Sequence, residues 1–341
     1  MSVLVKIGAS RSHGGRLGGI SLVAMMLCFA AAGTSAEAQG QITTFDVQGA
    51  TATHALGINA AGSTAGDWID ASSVQHGFVR ASDGTITSFD PKGSQETNPT
   101  GINGDGTVTG YFYDNKSSIH GFLRSANGKT TSFDPPGSVL TQPLAVNDSG
   151  MVTGYYVDDS GTHGFMRGSD GTIVSFDPKG STSTTTNGIN ANGDVTGYFA
   201  DSSGAVHGFV RTADGTIASF DVKGSTQTFP FGINTKGAIS GFYVNGGTVS
   251  GFARSASGKI KSFDPKGSFA TEAYAINNSM IAGFYEDSSG VHGYMRRAKG
   301  KFVIFDPKNS TDTEPFSINN SNAIAGYFTD SKGTHGFIRT P

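Results

Sequence analysis

The sequence is almost without cysteine: of 341 residues only Cys28 carries a thiol. It falls in a leading segment, so the rest of the chain has no disulfide staple, no thiolate metal site and no cysteine nucleophile. Charge is also scarce, at 15% of residues. The formal net charge is −3, and setting aside the three basic residues and one acidic residue of the first 38 positions leaves about −5. That balance argues against nucleic acid or an anionic membrane as the main partner. Only one long apolar run exists, 17–32, so no membrane insertion is expected. Helical periodicity is missing, as are a Gly-x-Ser-x-Gly elbow, a His-Glu-x-x-His pair and a phosphate loop. The Asp-Ser-Ser-Gly loops at Asp201 and Asp287 supply too few oxygens for calcium. Neither a cofactor nor a metal is expected.

The first residues read as an address rather than as structure. Lys6, Arg11 and Arg16 precede the apolar run, and Ala36-Glu37-Ala38 places small residues where a signal peptidase cuts. Residues 1–38 are therefore expected to be a secretory signal, and 39–341 a single domain working as a monomer in the periplasm or outside the cell.

What the chain has in abundance is glycine (50) and phenylalanine (24). They are placed with a period. Phe-Asp occurs at Phe45, Phe89, Phe133, Phe176, Phe220, Phe263 and Phe305, spaced by 42 to 44 residues. Between successive copies recur an apolar-Asn pair (Asn59 to Asn319), a Gly-aromatic pair and a Gly-aromatic-x-Arg (Arg80 to Arg339). Self-similarity at such a period is the mark of stacked supersecondary units.

Each copy contains four stretches of period-two alternation. In the second copy these are 99–103, 107–113, 119–124 and 129–134, joined by Asn103-Gly-Asp-Gly106 and Asn127-Gly128, both turn signals. A four-stranded sheet of this size cannot bury two faces alone, so the copies must pack on one another. The expected fold is an all-β, seven-bladed β-propeller of four-stranded antiparallel blades. The segment 41–47 matches a fourth strand and 335–339 a third, so the N-terminal strand is expected to complete the last blade and close the ring.

The histidines invite a catalytic reading, but they repeat. His76, His120, His163, His207, His292 and His335 each begin a third strand, with an Asp six or five residues before and, for the first five, the Phe-Asp acid 14 residues after. In the fifth copy histidine and loop acid vanish together, as Ser250 and Asn245. Equivalent groups at six places read as structural pins for the longer loops. The repeated arginines are expected to satisfy contacts between blades beside the repeated aspartates. Pairing Phe122 with Phe133 across the Asn127-Gly128 turn is expected to bring His120 beside Asp134.

With His-Gly-Phe in five copies, His-Gly-Tyr at His292 and Ser-Gly-Phe at Ser250, the chain resembles the HAF repeats, so called after His-Ala-Phe, of predicted extracellular bacterial proteins. The resemblance spans nearly all of 39–341. It implies a secreted, propeller-like array and carries no catalytic residues.

Function is sought where the copies differ. At the entry to the first strand of each copy stand His54, Asn98, Gln142, Thr185, Phe229, Glu272 and Glu314, and two residues on stand Leu56, Thr100, Leu144, Asn187, Phe231, Tyr274 and Phe316. Phe229, Phe231, Glu272, Tyr274, Glu314 and Phe316 concentrate aromatics and acids in copies five to seven, a composition suited to a sugar ring. The expectation is a secreted, non-enzymatic module that binds carbohydrate, an envelope component or a protein on the long-loop face. The alternatives are a polysaccharide lyase or hydrolase using His54, Glu272 and Glu314 at the axis, and a purely structural surface module. Asp67-Trp68, which replaces an aromatic pair of the other copies, reads either as a local site or, more commonly for such a change, as drift near a chain end.

Overall fold

The computed structural model describes residues 40–341, so the expected signal segment lies outside the described residues. Those residues form 28 strands and no helix. The fold is all-β. The fifth repeat stands for the rest: strands Gln227–Ile233, Ile239–Asn245, Thr248–Arg254 and Ile260–Phe263 pair antiparallel in chain order.

The turn chemistry shifts one register from expectation. Gly121, not Phe122, lies opposite Phe133, and Phe122 faces Ser132. The cause is the loop. Ser125 N–H donates to Lys129 O and Gly128 N–H to Ser125 O, with Gly128 at φ 90°, a type I turn followed by a left-handed residue. That loop has one residue more than a two-residue turn, which moves every cross-strand pair by one. The first strand of the second repeat is also longer than expected, running Ser94–Ile102.

Each first strand carries a bulge at the same place, between residues such as Pro230 and Gly232, so that Phe231 is the extra residue. All seven repeats share it. The bulge explains the Gly-aromatic motif of the second strand. A Cβ on Gly197 would stand 2.1 Å from Thr185 O, so only glycine permits the close approach. The glycine of His-Gly-Phe has another reason. A Cβ on Gly208 would meet Pro230 at 2.8 Å and the Phe220 ring at 3.0 Å, because the Phe-Asp phenylalanine covers it from the neighbouring strand.

Packing between repeats uses three recurring devices. The Gly-Phe phenylalanines (Phe78, Phe122, Phe165, Phe209, Phe252, Phe337) are fully buried, each edge-on to the Phe-Asp ring of the preceding repeat, as Phe176 to Phe209 at 6.2 Å. The arginines stack on those same rings rather than on aspartate: Arg211 stands 4.8 Å over Phe176 and Arg339 5.1 Å over Phe305. This corrects the expected Arg-Asp contact, because Arg211 pairs with Ile217 at one end of the two strands while Asp221 lies beside His207 at the other. Finally, the Asn of every first turn donates from Nδ2 to the main-chain carbonyl of the next: Asn59 to Asn103, Asn103 to Asn147, Asn147 to Asn190, Asn190 to Asn234, Asn234 to Asn277 and Asn277 to Asn319, at 2.8 to 3.1 Å. Asn319 then donates to Asn59 O at 2.9 Å.

The chain ends meet in the same pattern. Ile42–Phe45 pairs antiparallel with Gly333–Arg339, Phe45 opposite Gly336, as Phe220 lies opposite Gly208 inside the fourth repeat. Thr334 bridges to Ala52 in parallel, as Val206 does to Gln227.

Candidate functional site

The six recurring histidines are each bracketed by two carboxylates. His207 Nδ1 lies 2.9 Å from Asp221 and Nε2 3.3 Å from Asp201, and its ring tilts over Phe199 at 5.1 Å. His76, His120, His163, His292 and His335 repeat this arrangement. The loop acids in turn accept main-chain N–H groups, as Asp201 does from Ser203 and Ala205. Hydrogen bonds donated to Asp177 and Asp221 push His163 and His207 above the ordinary histidine value. Hydrogen bonds led by the Ser203 hydroxyl bring Asp201 down to about 2. Both ring nitrogens are hydrogen-bonded in His163, His207, His292 and His335, and in His76 and His120 the loop acid stands 3.7 and 3.5 Å from Nε2, so these histidines hold loops.

The entry residues of the first strands form a different layer. Each pairs across the sheet with a second-strand residue: His54 with Asp67, Asn98 with Tyr111, Gln142 with Tyr155, Thr185 with Tyr198, Phe229 with Phe242, Glu272 with Phe284 and Glu314 with Tyr327. Two residues on, the bulge re-aims the next side chain. In the second and fourth repeats that side chain reaches the following repeat: Thr100 Oγ1 donates to Pro143 O at 2.9 Å, and Asn187 Nδ2 to Pro230 O at 2.7 Å.

From the fourth repeat to the first, the layer is a continuous run of rings. Tyr198 meets Phe229 at 5.0 Å, Phe229 meets Phe242 at 5.1 Å, and Phe242 meets Phe231 at 5.4 Å. Phe231 meets Tyr274 at 4.6 Å, Tyr274 meets Phe316 at 5.0 Å, Phe316 stacks on Tyr327 at 5.3 Å, and Tyr327 meets His54 edge-on at 4.8 Å. Contacts alternate within and between repeats, so the run also ties repeats together. Phe229, Phe231, Tyr274, Phe316 and His54 are nonetheless only half-buried.

Two carboxyls sit inside this run. Tyr274 donates its hydroxyl to Glu272 at 2.7 Å and Tyr327 to Glu314 at 2.9 Å. Burial pushes both carboxyls above their ordinary value, with the tyrosine hydrogen bonds opposing it. Burial and the neighbouring acid likewise raise Tyr274 and Tyr327. The arrangement sets two carboxyls, each accepting a tyrosine hydroxyl, between aromatic faces.

The opposite sector, in repeats one to three, is polar. Tyr155 donates to Gln142. His54 Nδ1 lies 2.7 Å from Asp67, which is 3% exposed. Asn98 Nδ2 is buried with no hydrogen-bond partner among the described residues.

All seven residues singled out from sequence therefore fall in one layer. Reasoning from sequence missed their partners. Asp67 is not drift but the buried anchor of His54, and Phe242, Phe284 and Tyr327 complete the ring run. The available signal was that histidine at 54 and acid at 67 depart from the repeat pattern together. A concavity lies at the far end of the first strands, a depression of about 200 Å³ lined by the asparagine circuit and by the apolar residues before it, such as Ile58, Val146 and Ile233.

No family profile and no curated protein matches the chain in sequence. Solved structures do match in shape. Virginiamycin B lyase from Staphylococcus aureus aligns at a TM-score of 0.61 and 13% identity, over 89% of this chain and 100% of that one. The β-propeller domain of the Trilobed protease from Pyrococcus furiosus aligns at 0.62 and 8%, over 84% and 95%. The lectin BP39L from Burkholderia pseudomallei aligns at 0.53 and 12%, over 86% and 96%. At these identities the likeness is one of fold, and the fold is that of β-propellers.

Proposed function

We propose that the chain is a secreted, HAF-type, seven-bladed β-propeller, closed by its N-terminal strand, that binds carbohydrate in the layer where the first strands enter the axis. Closure is supported by the pairing of Phe45 with Gly336 and by the return of the asparagine circuit from Asn319 to Asn59. The observation that carries the binding reading is the division of one layer into an aromatic sector holding two carboxyls and a polar sector of amides, imidazole and hydroxyls. A sugar ring has the matching duality, with apolar C–H faces and a hydroxyl edge. A propeller lectin is among the similar structures.

The test is binding of the purified protein to a glycan array, followed by calorimetry on the best ligand with Tyr274→Ala and Phe316→Ala. Each variant is expected to weaken binding at least tenfold. Unchanged affinity in both, or no glycan bound, would overturn the reading.

A second reading, acid-base cleavage at the same layer, is favoured by the raised carboxyls of Glu272 and Glu314. Lyases are also among the similar structures. It predicts chain shortening of the bound glycan, abolished by Glu314→Gln.

A further inference from the structure

The chain contains five Asn-Gly pairs, at Asn103, Asn127, Asn187, Asn192 and Asn245. Such a pair carries a reaction of its own, since a glycine has no Cβ to shield its main-chain nitrogen from the side-chain carbonyl carbon of the asparagine before it. Four of the five are tied down. Asn103 donates Nδ2 to Asn147 O at 3.1 Å and accepts from Thr107 N–H, while Gly104 N–H donates to Asp148 at 2.7 Å. Asn127 accepts from the Ser125 hydroxyl and from Lys129 N–H, and Gly128 N–H is engaged by Ser125 O. Asn192 donates to Thr235 O, and Gly193 N–H to Asn190 O. Asn187 donates to Pro230 O at 2.7 Å, and Gly188 lies inside a strand opposite Thr196, where Phe231 O would stand 2.5 Å from a Cβ.

Asn245 is unlike them. It is exposed, and neither its side-chain amide nor the N–H of Gly246 has a hydrogen-bond partner among the described residues. It opens a hairpin turn in which it pairs with Thr248, and both intervening glycines are left-handed, Gly246 at φ 57° and Gly247 at φ 84°. Nothing lies within 4 Å of a Cβ on either. The other six loops carry an aspartate at this position that reaches toward a histidine, as Asp201 does toward His207. The fifth carries Asn245 and Ser250 and has no such pin. Two glycines in succession and the missing pin leave the main-chain torsion of Asn245 free to bring its Cγ over the Gly246 nitrogen.

We propose, independently of the carbohydrate reading, that Asn245 is a site of self-modification by deamidation. The Gly246 nitrogen attacks Asn245 Cγ and gives up its proton to water; the Cγ–Nδ2 bond breaks, Nδ2 takes up a proton and leaves as ammonia, and a cyclic imide remains. Water then opens the imide at either carbonyl, with no change of oxidation state, to give aspartate or isoaspartate at position 245. The first product supplies the fifth loop with the carboxylate that the six other copies carry from the start. The second routes the backbone through Cβ and lengthens it by one methylene, which disrupts the pairing with Thr248. Either sets a negative charge beside Val244, whose carbonyl accepts from Thr226 just ahead of the strand that carries Phe229.

The experiment is a timed incubation of the purified full chain at mildly alkaline pH, in native buffer and in denaturant, followed by peptide mapping with mass spectrometry. In the native chain the peptide holding Asn245 is expected to gain one mass unit and to show the isoaspartate form at least tenfold faster than the peptides holding Asn103, Asn127, Asn187 and Asn192. In denaturant all five are expected to convert at rates within a few fold of one another, because all share the same pair. Asn245→Gln, whose longer side chain closes the ring poorly, is expected to keep its mass over the same time, and thermal melts confirm that it is folded. A native chain in which Asn245 converts no faster than the other four overturns the assignment. A lead that persists undiminished in denaturant overturns the structural reason, since neighbouring sequence would then set it. A mass gain without any isoaspartate overturns the imide route in favour of direct hydrolysis.

Discussion

Asn319 donates its side-chain amide to the main-chain carbonyl of Asn59, 260 positions away in sequence, at 2.9 Å. Its Oδ1 meanwhile accepts from the N–H groups of Ser321 and Ala323 in its own turn. The same pair of tasks falls to Asn147, which reaches Asn190 and caps Ser149 and Met151. Replacing either by Ala leaves a buried carbonyl and two turn amides unpaired, and is expected to cost about 2–4 kcal/mol. Chemical denaturation of Asn147→Ala and Asn319→Ala measures it. In a closed ring the two losses are alike; a much smaller loss at Asn319 would indicate an open seam.

The bulge makes a prediction about glycine. A methyl on Gly197 would overlap Thr185 O at 2.1 Å, and the neighbour is backbone that cannot swing away. Gly197→Ala is expected to destabilise by about 3 kcal/mol through forced strand displacement. Gly204→Ala, with nothing near its Cβ, meets no overlap but sits at φ 84°, and is expected to cost about 1 kcal/mol. Unfolding midpoints of the two variants decide whether close approach or turn geometry governs each glycine.

The bracketed histidines set a pH dependence. The folded values of His163 and His207 lie above the ordinary value, chiefly through hydrogen bonds donated to Asp177 and Asp221. Their contribution is therefore full below about pH 6.5 and is lost as pH rises through the folded values. Asp201, held at about 2 chiefly by the Ser203 hydroxyl, works in the opposite sense: its contribution is full above the ordinary carboxylate value near 4 and lost as pH falls toward 2. Thermal stability is expected to peak between about pH 4 and 6.5. In His163→Gln/His207→Gln the fall in Tm from pH 6 to pH 8.5 is expected to be smaller than in the parent.

Glu272 makes a prediction of the reverse kind. Burial raises its folded value, so ionising it costs stability above that value and nothing well below the ordinary one. Glu272→Gln, which keeps shape and can still accept from Tyr274, is expected to raise Tm at pH 8 and leave it unchanged at pH 4. An equal shift at both pH values would show that packing, not charge, is what the substitution alters.

Much of this was readable in advance because repetition makes neighbours comparable. The pins were legible since a histidine, a loop acid and a Phe-Asp acid recur together in six copies, and the fifth copy loses the histidine and loop acid together at Ser250 and Asn245. The layer was legible since Glu272, Tyr274, Glu314 and Phe316 stand where other copies carry different residues. The register error at Phe122 arose because Asn127-Gly128 is compatible with two loop lengths, and only the hydrogen bond from Gly128 to Ser125 distinguishes them. Asp67 was left undecided because the matching change at His54 lies 13 residues away, at a position that varies from copy to copy.

The order of strands and their repetition follow from the sequence alone, because alternation, turn residues and period are local and each copy states them again. What only the tertiary structure decided is which unlike copies face one another: that Arg211 lies on Phe176 and not on an acid, that the bulge aims Phe231 at Tyr274, and that His54 finds the buried Asp67. Those facts depend on distances between residues some 13 to 260 positions apart, and no local pattern encodes a distance that is set by the packing of one sheet against the next.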